Sequence, residues 1–313
     1  FGTASGWGVQ RVGVSLSGGG CEDKIEKGGE NMQQGALILE GGGMRGAFTA
    51  GVLDVFLEEG LQFSACYGVS AGACHCASYL SGQKGRAFRV SSEYLDDNRY
   101  ASMESLLRTG DFFGVDMVYR KIPEELDPYD YEAFSKYQGK FYVVVTNCDT
   151  GQAEYLPIWD MKKQINRLRA SSSLPFFARV VRLNGIPYLD GGISDAIPLA
   201  QAERDGYRKN VVILTRDRSY RKKPSKVSVL LPLFYGRYPA LCRAMAQRWK
   251  MYNREVEEVQ RAEETESAFV IQPKEPVQIG RLERDKAKLQ ALYEEGYAQA
   301  KASMADLKAF LAE

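Results

Sequence analysis

The sequence contains only one histidine, His75, among its 313 residues. Histidine is the usual base for a nucleophilic serine and a frequent ligand of transition metals. A histidine-rich metal centre is therefore excluded, and a Ser-His-Asp triad would depend entirely on where this one imidazole lies.

Cysteines and net charge are also sparse. The six cysteines are scattered and lack the dense pattern of a small secreted domain, so we expect a reducing, cytoplasmic setting. The run Cys74-His75-Cys76 does not predict a metal site, because adjacent helical positions point in different directions and no second cysteine pair completes a ligand set. A formal net charge of +1 gives no global electrostatic reason to expect a nucleic-acid partner.

Long apolar runs are missing as well. No stretch approaches the roughly 18 consecutive apolar residues that a membrane-spanning helix needs. Residues 1–34 are rich in glycine and polar residues and lack the apolar core of a signal peptide. We interpret them as a disordered or artefactual N-terminal segment, and expect a protein that is cytoplasmic or peripheral at the membrane.

Apolar strands alternate with helical segments over residues 35–215. The patterning predicts strands at 36–39, 63–67, 141–145 and 211–215, with helices at 47–58 and 71–80 after the first two. Such alternation favours a mostly parallel sheet covered by helices on both faces. The basic stretch 216–226 marks a change of composition, and residues 216–313 are predicted to be mainly helical.

A glycine-rich loop follows the first predicted strand, with the sequence Gly41-Gly42-Gly43-Met44-Arg45-Gly46. It satisfies the dinucleotide pattern G-x-G-x-x-G, but the acidic residue expected after the second strand is absent. The other chemical use of exposed backbone N–H groups at a helix start is to stabilise a developing oxyanion. A tight turn without a ligand remains the structural alternative.

A serine turn, Gly68-Val69-Ser70-Ala71-Gly72, follows the second predicted strand and precedes a helix. This is the setting of a hydrolase nucleophile, although a helix-capping serine in a glycine turn is the alternative. His75 is a poor base for Ser70, because five helical residues place it about 140° around the axis and about 7.5 Å along it. The base must then be a carboxylate, a lysine or nothing.

Asp190 stands out among the carboxylates, because it ends a predicted strand and is followed by Gly191 and Gly192. Those glycines would allow its loop to approach another backbone closely. An ordinary turn aspartate is the alternative interpretation. The pattern alone does not decide between them.

Taken together, these motifs resemble the patatin-like phospholipase family in order and spacing. The glycine loop, the serine turn and Asp190-Gly191-Gly192 are joined by Ala170-Ser171-Ser172-Ser173-Leu174-Pro175, which is similar to the family's A-S-S-x-x-P segment. The resemblance covers about residues 35–215. The remaining residues, 216–313, resemble the extension found in a bacterial branch of the family.

The resemblance implies a three-layer α/β/α sandwich that hydrolyses acyl esters of lipids with a Ser-Asp dyad, without histidine, metal or cofactor. It implies that Ser70 is the nucleophile and Asp190 the base. The residues implied for the oxyanion hole are Gly41, Gly42, Gly43 and Arg45. Those implied for the nucleophile turn are Gly68 and Gly72. For Arg45, a surface ion pair is the competing role.

A serine acyl hydrolase acting on lipid or other acyl esters is therefore the expected function. A catalytically silent lipid-binding or regulatory protein of the same fold is the alternative. Peripheral membrane contact is a further hypothesis, because residues 230–249 interleave arginines with aromatic residues, although the same residues would suit packing on the main domain. The residues concerned are Phe234, Tyr235, Arg237, Tyr238, Arg243, Arg248 and Trp249. Nothing in the sequence predicts the oligomeric state.

Overall fold

A mixed sheet of eight strands forms the centre of the protein, in a computed structural model that describes residues 32–312. The strands are β1 Met32–Leu39, β2 Gln62–Val69, β3 Lys140–Asn147, β4 Ala153–Pro157, β5 Val181–Leu183, β6 Ile186–Asp190, β7 Asn210–Ile213 and β8 Ala268–Ile271.

Ten α-helices surround this sheet within the described part of the chain. They are α1 Ala47–Glu58, α2 Ala71–Leu80, α3 Arg86–Ser92, α4 Met103–Thr109, α5 Tyr131–Ser135, α6 Met161–Ser171, α7 Leu199–Arg204, α8 Leu231–Tyr235, α9 Pro239–Glu264 and α10 Lys286–Ala312. Short 3-10 turns occupy Gly43–Gly46, Glu93–Asp96, Gly191–Ile193 and Lys226–Leu230, and a π-helix occupies Met117–Leu126.

The strand order is β5-β6-β3-β2-β1-β7-β8, with β4 paired to β3 outside this path. Neighbouring strands along the path β3-β2-β1-β7-β8 pair in parallel. At the other end of the sheet, β4 and β6 pair antiparallel with β3, and β5 pairs antiparallel with β6. The predicted mostly parallel sheet is thus confirmed, with an antiparallel portion next to β3.

Helices cover both faces of the sheet, as the buried strand β1 shows. Leu37 and Leu39 belong to the core that includes residues of α1 and α10, while Ala36 and Ile38 belong to the core beneath α7 and α9. Because successive side chains of a strand point to opposite faces, the continuous apolar run buries both sets. The predicted three-layer sandwich is confirmed.

The C-terminal part of the chain joins the same sheet. β8 pairs with β7, and α10 packs along α1 at two glycines, Gly51 and Gly296. A side chain on Gly51 would overlap the carbonyl of Tyr293, and one on Gly296 would overlap that of Phe48. The helical extension is therefore built against the first helix, and the domain boundary after residue 215 stays a prediction.

The N-terminal boundary differs from the expected one. β1 begins at Met32, so the last three residues of the predicted N-terminal segment are strand. The rest of that segment lies outside the described residues. Within the described part, no helix combines the length and apolar character needed to cross a bilayer.

Candidate active site

Ser70 lies in a sharp turn between β2 and α2. Its backbone has φ 54° and ψ −122°, a conformation that side-chain-bearing residues adopt rarely and at an energetic cost. The flanking glycines make the turn possible, since a Cβ on Gly68 would lie 2.5 Å from Cα of Ala73 and one on Gly72 would lie 2.6 Å from the Leu39 carbonyl oxygen. The turn therefore presents the hydroxyl at the carboxyl end of β2.

The sheet brings Asp190 to this turn from 120 residues further along the chain. β2 pairs with β3 as far as Val69 and Val144, and Asp190 of β6 pairs with the next residue, Val145. β2 pairs along one edge of β3 and β4 along the other. β6 therefore pairs with β3 on the same edge as β2, just beyond the end of β2. The Ser70 hydroxyl donates a hydrogen bond to Oδ2 of Asp190 at 2.6 Å.

Asp190 is buried, with 2% of its surface exposed. Its Oδ1 accepts a hydrogen bond from the Gly192 N–H at 2.9 Å, which fixes the orientation of the carboxylate. Burial raises the pKa of Asp190, while the hydrogen bond from Ser70 and the charge of Arg248 oppose the rise. A carboxylate with a raised pKa is a stronger base than an exposed aspartate.

The glycine loop lies directly against the serine. A Cβ on Gly41 would be 3.1 Å from Cβ of Ser70, and one on Gly42 would be 2.8 Å from Oγ1 of Thr215. Gly43 has φ +58° and packs against the backbone of Arg281. Within the described residues, the backbone N–H groups of these three glycines donate no hydrogen bond to a protein acceptor. They are free to face a bound oxygen.

Comparison with family models identifies the family of the chain. A family model for patatin-like phospholipase matches residues 37–203, just over half of the chain. The chain belongs to this family. The family predicted from the motifs is confirmed, and a second model, described as a domain of unknown function (DUF6363), matches residues 238–312.

Two bacterial relatives resemble the chain in sequence. "Uncharacterized protein YjjU" of Escherichia coli (strain K12) is 36% identical over 58% of this chain and 51% of its own length. "Uncharacterized protein YqhO" of Bacillus subtilis (strain 168) is 25% identical over 60% of this chain and 73% of its own. The match thus spans about half the length of the E. coli relative.

One solved structure also resembles the chain. VipD from Legionella pneumophila aligns over 87% of this chain and 67% of its own, with a TM-score of 0.44 and 16% sequence identity.

Arg45 of the patatin-like loop does not form a surface ion pair. Only 6% of its surface is exposed, and its Nε has no hydrogen-bond partner among the described residues. Burial lowers the pKa of Arg45 to about 10, and the nearby charge of Arg216 acts in the same direction. The side chain faces a cavity beside the loop that Glu40 also lines.

In the part of the chain that the structure describes, His75 makes no hydrogen bond to Ser70 or Asp190. It is buried on α2, and a side chain on Gly46 would overlap its ring. Burial lowers the pKa of His75 to about 4, so the ring is neutral and serves packing.

Three positions near the dyad were missed by sequence reasoning. The buried hydroxyl of Ser171 accepts a hydrogen bond from the Ser70 N–H at 3.0 Å. The Asp190 backbone is held by its N–H bond to the Ser173 carbonyl at 2.9 Å and by the Thr146 hydroxyl at 2.8 Å. The serine run was noticed as a family likeness, but its contacts depend on the tertiary fold.

The structure has a cleft of 790 Å³ whose wall includes a residue close in sequence to Asp190. Its wall reaches Ile193, three residues after Asp190, and it continues along side chains that are mostly apolar, including Leu174, Phe176, Phe177, Met245 and Trp249. Ser70 and Asp190 are buried and line neither this cleft nor the smaller cavity beside Arg45.

Residues 230–249, the segment of the membrane-contact hypothesis, include both buried and exposed side chains. Tyr238 is buried, the Tyr235 hydroxyl accepts from the Phe176 N–H at 2.8 Å, and Nε of Arg248 donates to the Gly192 carbonyl. Phe234 and Arg237 are exposed. Only part of the segment is therefore available for a surface contact.

Proposed function

We propose that the protein is a serine hydrolase of lipid acyl esters, with Ser70 as nucleophile and Asp190 as base. The observation that carries this proposal is the 2.6 Å hydrogen bond from the Ser70 hydroxyl to the buried carboxylate of Asp190. The strained backbone of Ser70 supports the proposal, because residues held in such rare backbone conformations cluster at active sites.

The acylation step uses the dyad and the glycine loop. Asp190 accepts the Ser70 proton as the serine oxygen attacks the ester carbonyl, and the carbonyl oxygen becomes an oxyanion. The free N–H groups of Gly41, Gly42 and Gly43 are proposed to stabilise that oxyanion. Asp190 then gives the proton to the leaving alcohol, and the acyl group remains on the serine.

Deacylation returns the serine by the same route. Water gives a proton to Asp190 and attacks the acyl-enzyme carbonyl, and the same N–H groups hold the second oxyanion. The proton returns to Ser70 as the carboxylic acid leaves. A buried base with a raised pKa favours both proton transfers.

The apolar cleft supports a lipid substrate. A volume of 790 Å³ lies within the range of ligand pockets, and its apolar wall suits acyl chains. Leu174 and Ile193 line the cleft, and Leu174 follows Ser173, whose carbonyl accepts a hydrogen bond from the Asp190 N–H. An acyl chain lying there would place its ester near the serine.

We also propose that the rim of this cleft rests on an anionic lipid surface. Val229, Leu233 and Phe234 expose 81%, 79% and 61% of their surfaces. The exposed residues Lys226 and Arg237 flank them. Apolar side chains beside cations are the combination that binds the interface of an anionic membrane.

The dyad is tested by labelling with a fluorophosphonate and by hydrolysis of p-nitrophenyl butyrate. We expect the wild type to react in both assays, Ser70→Ala to react in neither, and Asp190→Asn to lose at least about a hundredfold in rate, in the range of general-base catalysis. Ser78→Ala on the same helix and Asp54→Asn, a second buried aspartate, should retain wild-type rates.

Each negative outcome has a definite meaning. A wild type that neither labels nor hydrolyses would favour the alternative, a lipid-binding protein without catalysis. Labelling that survives Ser70→Ala would contradict the assigned nucleophile. Full activity in Asp190→Asn would contradict the assigned base.

A further inference from the structure

One face of helix α9 contacts both segments that carry the proposed catalytic groups. Arg248, Tyr252 and Glu255 are spaced four and three residues apart, so they lie on the same side of this helix. Tyr252 and Glu255 are buried. Burial lowers the pKa of Arg248 to about 10, which leaves its guanidinium charged at neutral pH. We call these three residues the contact face of α9.

The first contact of this face is with the loop that carries the proposed base. Nε of Arg248 donates a hydrogen bond to the Gly192 carbonyl, and a Cβ on Gly192 would lie 3.1 Å from Nη2 of the same arginine. The N–H of Gly192 in turn donates to Oδ1 of Asp190 at 2.9 Å. Arg248 therefore holds the residue that orients the carboxylate. Burial raises the pKa of Asp190, and the positive charge of Arg248 opposes that rise.

The second contact is with the residue that precedes the glycine loop. The Tyr252 hydroxyl donates to Oε1 of Glu40 at 2.9 Å. Oε2 of Glu40 accepts from the N–H and the hydroxyl of Thr215, at 2.6 Å and 2.9 Å, so this buried carboxylate joins the segments that follow β1 and β7. Because Glu40 is the neighbour of Gly41 in the chain, Tyr252 helps to fix the position of the glycine loop.

The third contact anchors α9 to the segment that follows the base. Oε2 of Glu255 accepts a hydrogen bond from the Ala196 N–H at 3.1 Å. The match with the patatin-like family model ends at residue 203, whereas α9 lies in the part matched by the domain of unknown function. The C-terminal part of the chain therefore reaches the segments of both the proposed base and the glycine loop.

We propose that Arg248 and Tyr252 are positioning residues of the active site, so that the C-terminal part completes a site whose reacting groups belong to the patatin-like part. This inference rests on the proposed hydrolase function. Arg248 acts on the base through Gly192, and Tyr252 acts on the glycine loop through Glu40. Catalytic groups must be held within about 0.5 Å of the productive geometry, so loosening either loop should lower kcat with little effect on KM.

Arg248→Gln tests the contact with the base. The change removes a charge-assisted hydrogen bond, so kcat for p-nitrophenyl butyrate should fall about tenfold or more, with KM within about threefold. The base acts as the carboxylate, and loss of the cation raises the pKa of Asp190, so the fall of kcat at acid pH should begin at higher pH. Arg248→Lys keeps the charge and should bring the midpoint back towards the wild-type value. Arg281 and the Cys74 thiol also interact with Asp190, and both stay unchanged.

Tyr252→Phe tests the contact with the glycine loop. Only the hydroxyl is lost, which leaves Oε1 of the buried Glu40 without this donor, so kcat should fall about fivefold or more. The acid midpoint should stay in place, because this contact does not involve the base. Arg254→Gln, at an exposed position of α9, and Tyr293→Phe, which removes a hydrogen bond to Asp54 on α1, are the matched controls. Both controls should keep the wild-type kcat and midpoint.

A second measurement does not depend on catalysis. Hydrogen–deuterium exchange should be faster over residues 190–196 in Arg248→Gln and over residues 40–46 in Tyr252→Phe, because loss of a contact lets the segment open more often. Arg254→Gln and Tyr293→Phe should exchange like the wild type in both segments. Thermal melting of each variant verifies that the whole fold is kept.

The outcomes separate this inference from the proposed function. Wild-type kcat in both Arg248→Gln and Tyr252→Phe would overturn the positioning roles. A lower kcat in Arg248→Gln with an unchanged midpoint and unchanged exchange would overturn the role of Arg248, since the loss would then not arise at the base. Faster exchange in the expected segments of a protein that hydrolyses no ester would support the positioning by α9 while the proposed hydrolase function fails.

Discussion

Removing the Ser171 hydroxyl tests how the nucleophile turn is held. Ser70 has φ 54°, and its N–H donates to Oγ of Ser171 at 3.0 Å. Ser171 is fully buried, so Ser171→Ala leaves that N–H without its acceptor. An unsatisfied buried donor costs about 1–3 kcal/mol, comparable to the strain of the turn itself.

The expected magnitude follows from this cost. If the turn must regain its native geometry to react, the cost adds to the barrier, and about 1.4 kcal/mol corresponds to a tenfold change in rate. We therefore expect a fall of about five- to 150-fold in kcat for p-nitrophenyl butyrate and in the rate of fluorophosphonate labelling, with KM little changed.

Ser173→Ala is the matched control for this prediction. Ser173 is also buried, but its hydroxyl donates to the Arg169 carbonyl at 2.8 Å and does not touch Ser70. Its backbone carbonyl, which holds Asp190, is unaffected by the change. If both variants lose stability equally and Ser171→Ala keeps wild-type kcat, the positioning role of Ser171 is refuted.

Three further predictions concern the glycine loop, the proposed base and the proposed membrane rim. Gly42→Ala places a Cβ 2.8 Å from Oγ1 of Thr215, so kcat should fall at least about tenfold; unchanged activity would contradict the loop assignment. Since burial raises the pKa of Asp190 and the base is the carboxylate, kcat/KM should fall as pH falls through a midpoint above about 4; a lower midpoint would contradict this. Phe234→Asp should weaken flotation with phosphatidylglycerol vesicles without changing p-nitrophenyl butyrate hydrolysis; equal flotation would remove the membrane proposal.

Local patterns predicted the elements that carry the site. The helices over residues 47–58 and 71–80 were predicted with the bounds that the structure has, because each begins directly after a glycine or serine turn that ends a strand. The exclusion of His75 also followed from helix geometry alone.

Contacts between distant segments could not be predicted from the sequence. Ser70 and Asp190 come together because β6 pairs with β3 just beyond the end of β2. No local sequence pattern predicts that register. For Arg248 the sequence left two interpretations open, contact with a membrane and packing on the main domain. In the structure its guanidinium donates to the Gly192 carbonyl, because α9 packs on the turn Gly191–Ile193 that follows Asp190.

Residues outside the patatin-like match line the 280 Å³ cavity beside the glycine loop. The match ends at residue 203, yet Arg216, Lys222, Arg248 and Arg281 all follow it and line this cavity, whereas Arg45 lies within the match. The C-terminal part joins the same sheet, because β8 pairs with β7 and α10 packs along α1. The wall beside Gly41 therefore depends on the C-terminal part, so a patatin-like protein with a different C-terminal part should have a different wall next to the same glycine loop.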